Sequence, residues 1–222
     1  EIMPSLVGSE MCIRDRQVPD YIILIFMDAV RPDHLSCYGY DRTTTPHIDK
    51  LASGGLVFDQ AISQAPWTLP SVATVLTSTF PCQHGAGRVQ GRNVALSGKK
   101  GTLGEILSSK GYRTCAMSTA KIYTNQLGLR RGFQESFIVG KGNPLEKVAA
   151  NALTEAAIRW LRKNRGKKCF LLIHHYDTHY PYVAGAGCIE KFDPDYDGRY
   201  RLRFGDVSLS CLLYTSDAAD EG

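Results

Sequence analysis

No run of about 20 apolar residues occurs anywhere in the 222-residue sequence, which excludes a membrane-spanning helix within it. Cysteine is sparse and poorly arranged. Between residues 17 and 205 it occurs only as Cys37, Cys82, Cys115, Cys169 and Cys188, odd in number and without CxxC spacing, so neither a disulfide framework nor a zinc site is indicated. Several of these cysteines lie in apolar runs, where a free thiol acts as a small hydrophobe. There is also no long basic run. Lys and Arg come in short pairs such as Lys99-Lys100, Arg130-Arg131 and Lys167-Lys168, without interleaved aromatics, a pattern that argues against nucleic-acid binding. No internal repeat or low-complexity linker interrupts the chain.

The two ends read differently from the middle. Ser5 to Arg16, SLVGSEMCIRDR, and Cys211 to Glu221, CLLYTSDAADE, both resemble translated sequencing-adapter sequence. Residues 1–16 and 206–222 are therefore set apart from the fold, and 17–205 is taken as one domain portion cut on both sides. The formal net charge is +4; the two end segments carry −1 and −4, leaving +9 on the middle. Such a balance favours anionic substrates.

Along the middle, apolar and amphipathic stretches alternate. Asp20 to Val30, DYIILIFMDAV, is a continuous apolar run ending at Asp28, the pattern of a strand buried on both faces of a parallel sheet. Thr45-Pro46 opens a short helix closed by Gly54-Gly55. Leu56 to Ser63 reads as a second strand, and a helix follows Pro70. Thr102 with Glu105 forms a capping box for a helix ending at Gly111, after which YRTCAMS is a strand. Glu146 to Arg165 is a long helix presenting Ala149, Leu153, Ala156 and Trp160 on one face, and Cys169 to Asp177 is a further buried strand. This order predicts an α/β fold, a mostly parallel sheet sandwiched by helices, with ligands bound beyond the carboxyl ends of the strands.

Three groups of side chains fall at those ends. Asp28 follows a strand too apolar to hold an unpartnered charge, so it either meets a hard cation or pairs with the turn and Arg31. Thr68 precedes Pro70 at a helix start, where its hydroxyl is either an ordinary cap or an attacking group near the positive end of the helix dipole. His174 to Tyr182, HHYDTHYPY, puts His175, Asp177 and His179 on one parity, able to hold a metal or to give a proton to a leaving group if the strand continues. The alternative is a strand-end loop whose histidines bond the backbone, which is the preferred reading for His174. Lys121 and His84 are lone candidates for gripping an anion, or else surface and loop residues.

In order and spacing, FMDAVRPDHLSCYGYD, TTTPHID, TLPS, the downstream HG, TLGEILSSKGYRT, GLRRGF, HHYDTHYPY and FDPDYDGRY resemble the N-terminal part of the sulfatase family within the alkaline-phosphatase superfamily. The likeness covers residues 20 to 200. It implies an alkaline-phosphatase-like, truncated fold, a sulfuric ester hydrolase activity, and one or two divalent cations (Ca, or Zn/Mn) at the carboxyl edge of the sheet. It assigns Asp28 to the metal, Thr68 to the nucleophile and a metal contact, and His179 to the ester group; Lys121, His175 and Asp177 are expected to bind the substrate. The substrate implied is a small anionic ester, such as a sulfated glycan or lipid-linked group.

Three departures qualify that expectation. Sulfatases typically mature a Cys or Ser to formylglycine within C/S-x-P-S-R, whereas the five residues here are Thr68, Leu69, Pro70, Ser71 and Val72. Ala29 stands where a second acidic ligand is often found, and TAKIY around Lys121 lacks the Lys-x-His pair of many sulfatases. Threonine is the nucleophile of relatives that handle phosphorus esters, so a phosphoester hydrolase or phosphoryl-group transferase is the alternative. A non-catalytic module that binds anionic glycans is a third. The 222-residue chain by itself is expected to be inactive, because a lone Asp and Thr hold a divalent ion poorly.

Overall fold

The computed structural model describes residues 18–140, 150–179, 191–192 and 194–195. Its centre is a four-stranded parallel sheet in the order β1-β6-β4-β5, built from β1 (Tyr21–Met27), β4 (Arg113–Ser118), β5 (Glu135–Ile138) and β6 (Cys169–His175). Tyr21 stands opposite Cys169 and Met27 opposite His175, so β1 and β6 end level with one another. The helices are α1 (Pro46–Ser53), α2 (Thr68–Thr77), α3 (Pro81–His84), α4 (Leu103–Ser109) and α5 (Ala150–Lys163), with a small hairpin, β2 (Gly87–Val89) and β3 (Arg92–Val94), after α3.

Strand parity divides the core in two. Phe170 and Leu172 of β6 and Ala116 of β4 face Leu69, Val72, Ala73 and Leu76 of α2. Cys169, Leu171 and Ile173, with Cys115 and Met117 of β4, face Leu153, Ala157 and Trp160 of α5. Each fully buried Leu or Phe of these faces stabilises the fold by about 1.5–3 kcal/mol. Burial also pushes the Cys115 and Cys169 thiols up, so both stay protonated hydrophobes; Cys37 and Cys82 are free as well, and Cys188 lies outside the described residues.

The capping box expected at α4 is present in both directions, Glu105 N–H to Thr102 Oγ1 at 3.1 Å and Thr102 N–H to Glu105 Oε2 at 2.9 Å. That helix packs against the GLRRGF segment so closely that a Cβ on Gly132, at φ +82°, would lie 1.9 Å from the Glu105 nitrogen. Arg131 fastens the contact with two bonds to the Glu105 carboxylate at 3.0 and 2.9 Å.

Several expectations need correction. Leu56 to Ser63 is not a strand; it is irregular and exposed, Leu56 at 88% and Ile62 at 79%, with no ladder to hold it extended. β1 is not buried on both faces. Its Ile22, Leu24 and Phe26 pack on the α2 side, but Ile23 and Ile25 are about half exposed because α5 covers β4 and β6 and does not reach this edge strand. The helix after Trp67 begins at Thr68 rather than after Pro70. β6 stops at His175, so His175, Asp177 and His179 do not share a strand face. α5 buries Leu153, Ala157 and Trp160, with Ala156 half-buried; residues 146–149 lie outside the described residues. No helix among the described residues is long and apolar enough to cross a membrane.

Candidate active site

Even-numbered residues of β1 and β6 face α2, and the site follows from that parity. Asp28 continues β1 by one residue, its N–H donating to the His175 carbonyl at 3.0 Å, so its side chain turns to the face where α2 begins. Thr68, the first residue of α2, donates its hydroxyl to Asp28 Oδ2 at 3.0 Å. His174 Nε2 lies 3.2 Å from the same oxygen, and the Tyr123 hydroxyl lies 3.0 Å from His174 Nδ1. Tyr176 completes the group: its phenol is influenced by Thr68 and Asp28, and its ring lies 4.6 Å from that of His174 and 5.6 Å from that of His179. The Thr178 hydroxyl donates to the Asp28 carbonyl at 2.5 Å.

Asp28 is thus cradled by the end of β6, through a ring, a backbone carbonyl, a phenol and a hydroxyl from residues 174 to 178. Burial is the largest influence on its carboxyl and pushes the pKa up. The hydrogen bonds from His174 and Thr68, with the charge the His174 and His179 rings carry when protonated, outweigh it, leaving Asp28 below the usual carboxylate value and ionised. Burial, reinforced by the Asp28 charge, pushes the Tyr176 phenol up, so it remains a hydroxyl. Arg31 does not pair with Asp28; it forms an exposed ion pair with Asp33.

The sequence-derived candidates separate accordingly. Asp28 and Thr68 touch, and His179 stands against Tyr176 with its charge felt at Asp28. His175 has the parity of the α5 face and pairs with Asp177, Nδ1 to Oδ2 3.9 Å, away from Thr68. Lys121 is exposed in the turn after β4. His84 is not a surface anion grip: it is 0% exposed, accepts the Ala86 N–H at Nδ1 (3.0 Å) and meets Thr74 Oγ1 at Nε2 (3.1 Å). His174 departs furthest from expectation, since it is 1% exposed and its partners are side chains rather than backbone. Tyr123 and Tyr176 were not singled out at all; the one available signal for Tyr123 is its place two residues after Lys121, where the Lys-x-His pattern would put histidine.

Thr68 is not a conventional cap either, because the N-cap of α2 is Trp67, without a side-chain cap bond. The first turn of α2 has no acidic residue of its own, and the carboxylate at its positive end is that of Asp28. Val72 is 4% exposed within the core and presents no cation there. The oxygens of Asp28 and Thr68 are the donor type that suits a hard divalent cation. Among the described residues, however, no group of three or more His, Cys, Asp or Glu could hold a metal.

Residues 20–220 match the sulfatase family model. Human arylsulfatase A is 35% identical over 99 residues, covering 43% of this chain and 20% of that protein. The putative transferase YhbX of Escherichia coli K12 is 36% identical over 75 residues, 34% of this chain and 14% of that one. A solved structure of Ps i-CgsB in complex with k-i-k-neocarrahexaose superimposes with TM-score 0.67 at 21% identity, covering 82% of this chain and 50% of that one. The fold is also shared with an alkaline-phosphatase-superfamily protein of Vibrio parahaemolyticus. The chain spans a fifth or less of the two curated relatives and half of the solved one.

Proposed function

The chain belongs to the sulfatase family, and from that premise we propose that it carries the nucleophile half of a sulfuric ester hydrolase in which Thr68 attacks and Asp28 orients it. The single observation that supports this reading most is the 3.0 Å hydrogen bond from Thr68 Oγ1 to the ionised, cradled Asp28, across 40 residues of sequence and at the mouth of α2. A hydroxyl donating to a carboxylate gains electron density on its oxygen and is held in one rotamer, the two conditions a weak nucleophile lacks when free. Thr68 Oγ1 forms the new bond to the tetrahedral centre as its proton passes to Asp28 Oδ2; the ester oxygen departs with the bonding pair and takes a proton from His179. Water then hydrolyses the Thr68 ester. Negative charge gathering on the transferred group faces the positive end of α2. With a divalent cation bound, Asp28 and Thr68 would be ligands from this chain, and the ion would supply the charge that lowers the hydroxyl pKa. The 222-residue chain alone is proposed to be inactive, because a lone Asp and Thr hold a divalent ion poorly.

The substrate class proposed is a sulfated glycan or related anionic ester, in line with the neocarrahexaose bound to Ps i-CgsB. Thr68 and the core-packed Val72, where formylglycine sulfatases carry Cys or Ser and Arg, favour a second reading, a phosphoester hydrolase or phosphoryl-group transferase; the similarity to YhbX, a putative transferase, points the same way. Paired aryl sulfate and aryl phosphate assays on a longer protein carrying this chain decide between them. Sulfate turnover that falls by roughly 1,000-fold or more in Thr68→Val supports the first reading. A phosphate preference lost in the same variant transfers the assignment to phosphorus, and turnover unchanged in Thr68→Val refutes Thr68 as nucleophile.

A further inference from the structure

We infer that His174 is the positioning residue of this site, and that Tyr123 dictates which of its ring nitrogens faces Asp28. The inference rests on Asp28 and Thr68 being the reacting pair. An ionised carboxylate oxygen only accepts hydrogen bonds, and Asp28 Oδ2 is approached by two groups, Thr68 Oγ1 at 3.0 Å and His174 Nε2 at 3.2 Å. Both must donate, so Nε2 carries its hydrogen. In the neutral ring Nδ1 is then a lone pair, to which the Tyr123 hydroxyl at 3.0 Å donates. The opposite tautomer would set a nitrogen lone pair against Oδ2.

The ring has little freedom to escape this choice. It is 1% exposed and Tyr123 is 4% exposed, so water does not compete for either nitrogen. Phe26 of β1 lies 5.2 Å from it, Tyr176 4.6 Å and Tyr123 5.8 Å, centroid to centroid, which packs it on three sides. The turn after β4, the end of β6 and the end of β1 therefore converge on one imidazole, and the start of α2 meets it through Asp28. Because His174 and Thr68 share Oδ2, the ring fixes the carboxylate rotamer that aims the threonine hydroxyl. Tyr123 acts through His174, and His174 acts through Asp28.

The test is nuclear magnetic resonance on the 222-residue chain, labelled with nitrogen-15 in histidine, read at mildly alkaline pH. In the unaltered chain His174 is expected as the Nε2–H form. Tyr123→Phe, which deletes one oxygen from a buried ring, is expected to cut the preference for that form roughly fivefold, the worth of one neutral hydrogen bond. The Asp28 side-chain rotamer, read from its three-bond couplings, should survive His174→Gln, which keeps a donor near the Nε2 position, and average in His174→Leu. An Nδ1–H or doubly protonated ring in the unaltered chain overturns the inference, as does a tautomer indifferent to Tyr123→Phe. Should His174→Leu fail to fold, the unaltered chain and Tyr123→Phe still decide. None of these readouts needs turnover, so an enzyme that fails the ester assays with a correctly locked ring would refute the proposed reaction and leave the positioning intact.

Discussion

Replacing His84 should unfasten the start of α2 and remove a specific slope from the pH dependence of stability. The ring is 0% exposed and its bonds run in one direction: Ala86 N–H to Nδ1, Nε2–H to Thr74 Oγ1, and Thr74 Oγ1–H to the Pro70 carbonyl, two residues beyond Thr68. His84→Ala leaves a cavity and strips the buried Ala86 N–H of its acceptor, while Thr74 keeps Pro70. An orphaned buried donor costs about 1–3 kcal/mol, and with the lost packing the total should reach about 3 kcal/mol. At an ordinary urea dependence that lowers the midpoint by roughly 1–2 M. His84→Asn, whose Oδ1 can replace Nδ1, should recover about half. Burial holds the folded pKa of His84 below its ordinary 6.5, opposed more weakly by the nearby Pro70 carbonyl. The unfolded chain therefore binds a proton that the folded chain refuses. The contribution of the neutral ring is whole above pH 6.5 and is lost as pH falls from there through the folded value, at about 1.4 kcal/mol per unit of depression. His175 is also depressed by burial, so the comparison is made in a His175→Gln background; Asp28 and Glu105, lowered from 3.8 and 4.5, act at more acid pH. Urea midpoints between about pH 8 and about pH 5 should fall in the parent and fall less in His84→Asn. Equal slopes would refute the argument.

Other outcomes can be read on the same chain. Gly132→Ala places a Cβ 1.9 Å from the Glu105 nitrogen at a φ of +82°, and should cost about 3 kcal/mol or more in urea denaturation. Ala29 follows Asp28 at φ +58°, a left-handed conformation that asparagine tolerates, so Ala29→Asn should gain about 0.5–1 kcal/mol whereas Ala29→Val loses about 1 kcal/mol or more. Thr68→Val keeps the branched packing at the start of α2 and loses one hydrogen bond, so its stability should fall by only about 1 kcal/mol even where turnover collapses.

The sheet was legible wherever burial was two-sided. Cys169 to Ile173 and Cys115 to Met117 are apolar throughout, and the structure buries them between α2 and α5. The same rule misjudged Tyr21–Met27, which is as apolar but sits at an edge, because composition records what a strand can bury and not what covers it. Leu56 to Ser63 fails for a related reason. Its β-prone residues need a ladder partner, and a strand without one is a row of exposed apolar side chains, which is what Leu56, Phe58 and Ile62 present. The α4 capping box was read correctly because both of its bonds are local, three residues apart.

The site shows the same divide between local and registered information. Asp28 betrays itself by placing a charge at the end of an apolar run, and Thr68 by preceding a proline at a helix start; both signals are contained in a few residues. His174 carries no such mark. Beside His175 it is one of two consecutive imidazoles, and only the level ending of β1 and β6, Phe26 opposite His174 and Met27 opposite His175, decides that the first faces Asp28 and the second does not. A slip of one residue would exchange them, because strand side chains alternate faces. Tyr123 is further removed, since its role depends on a turn after β4 meeting a strand end 51 residues later. The groups proposed to react can be read from sequence while those proposed to aim them cannot: the former are set by local chemistry, and the latter by strand register.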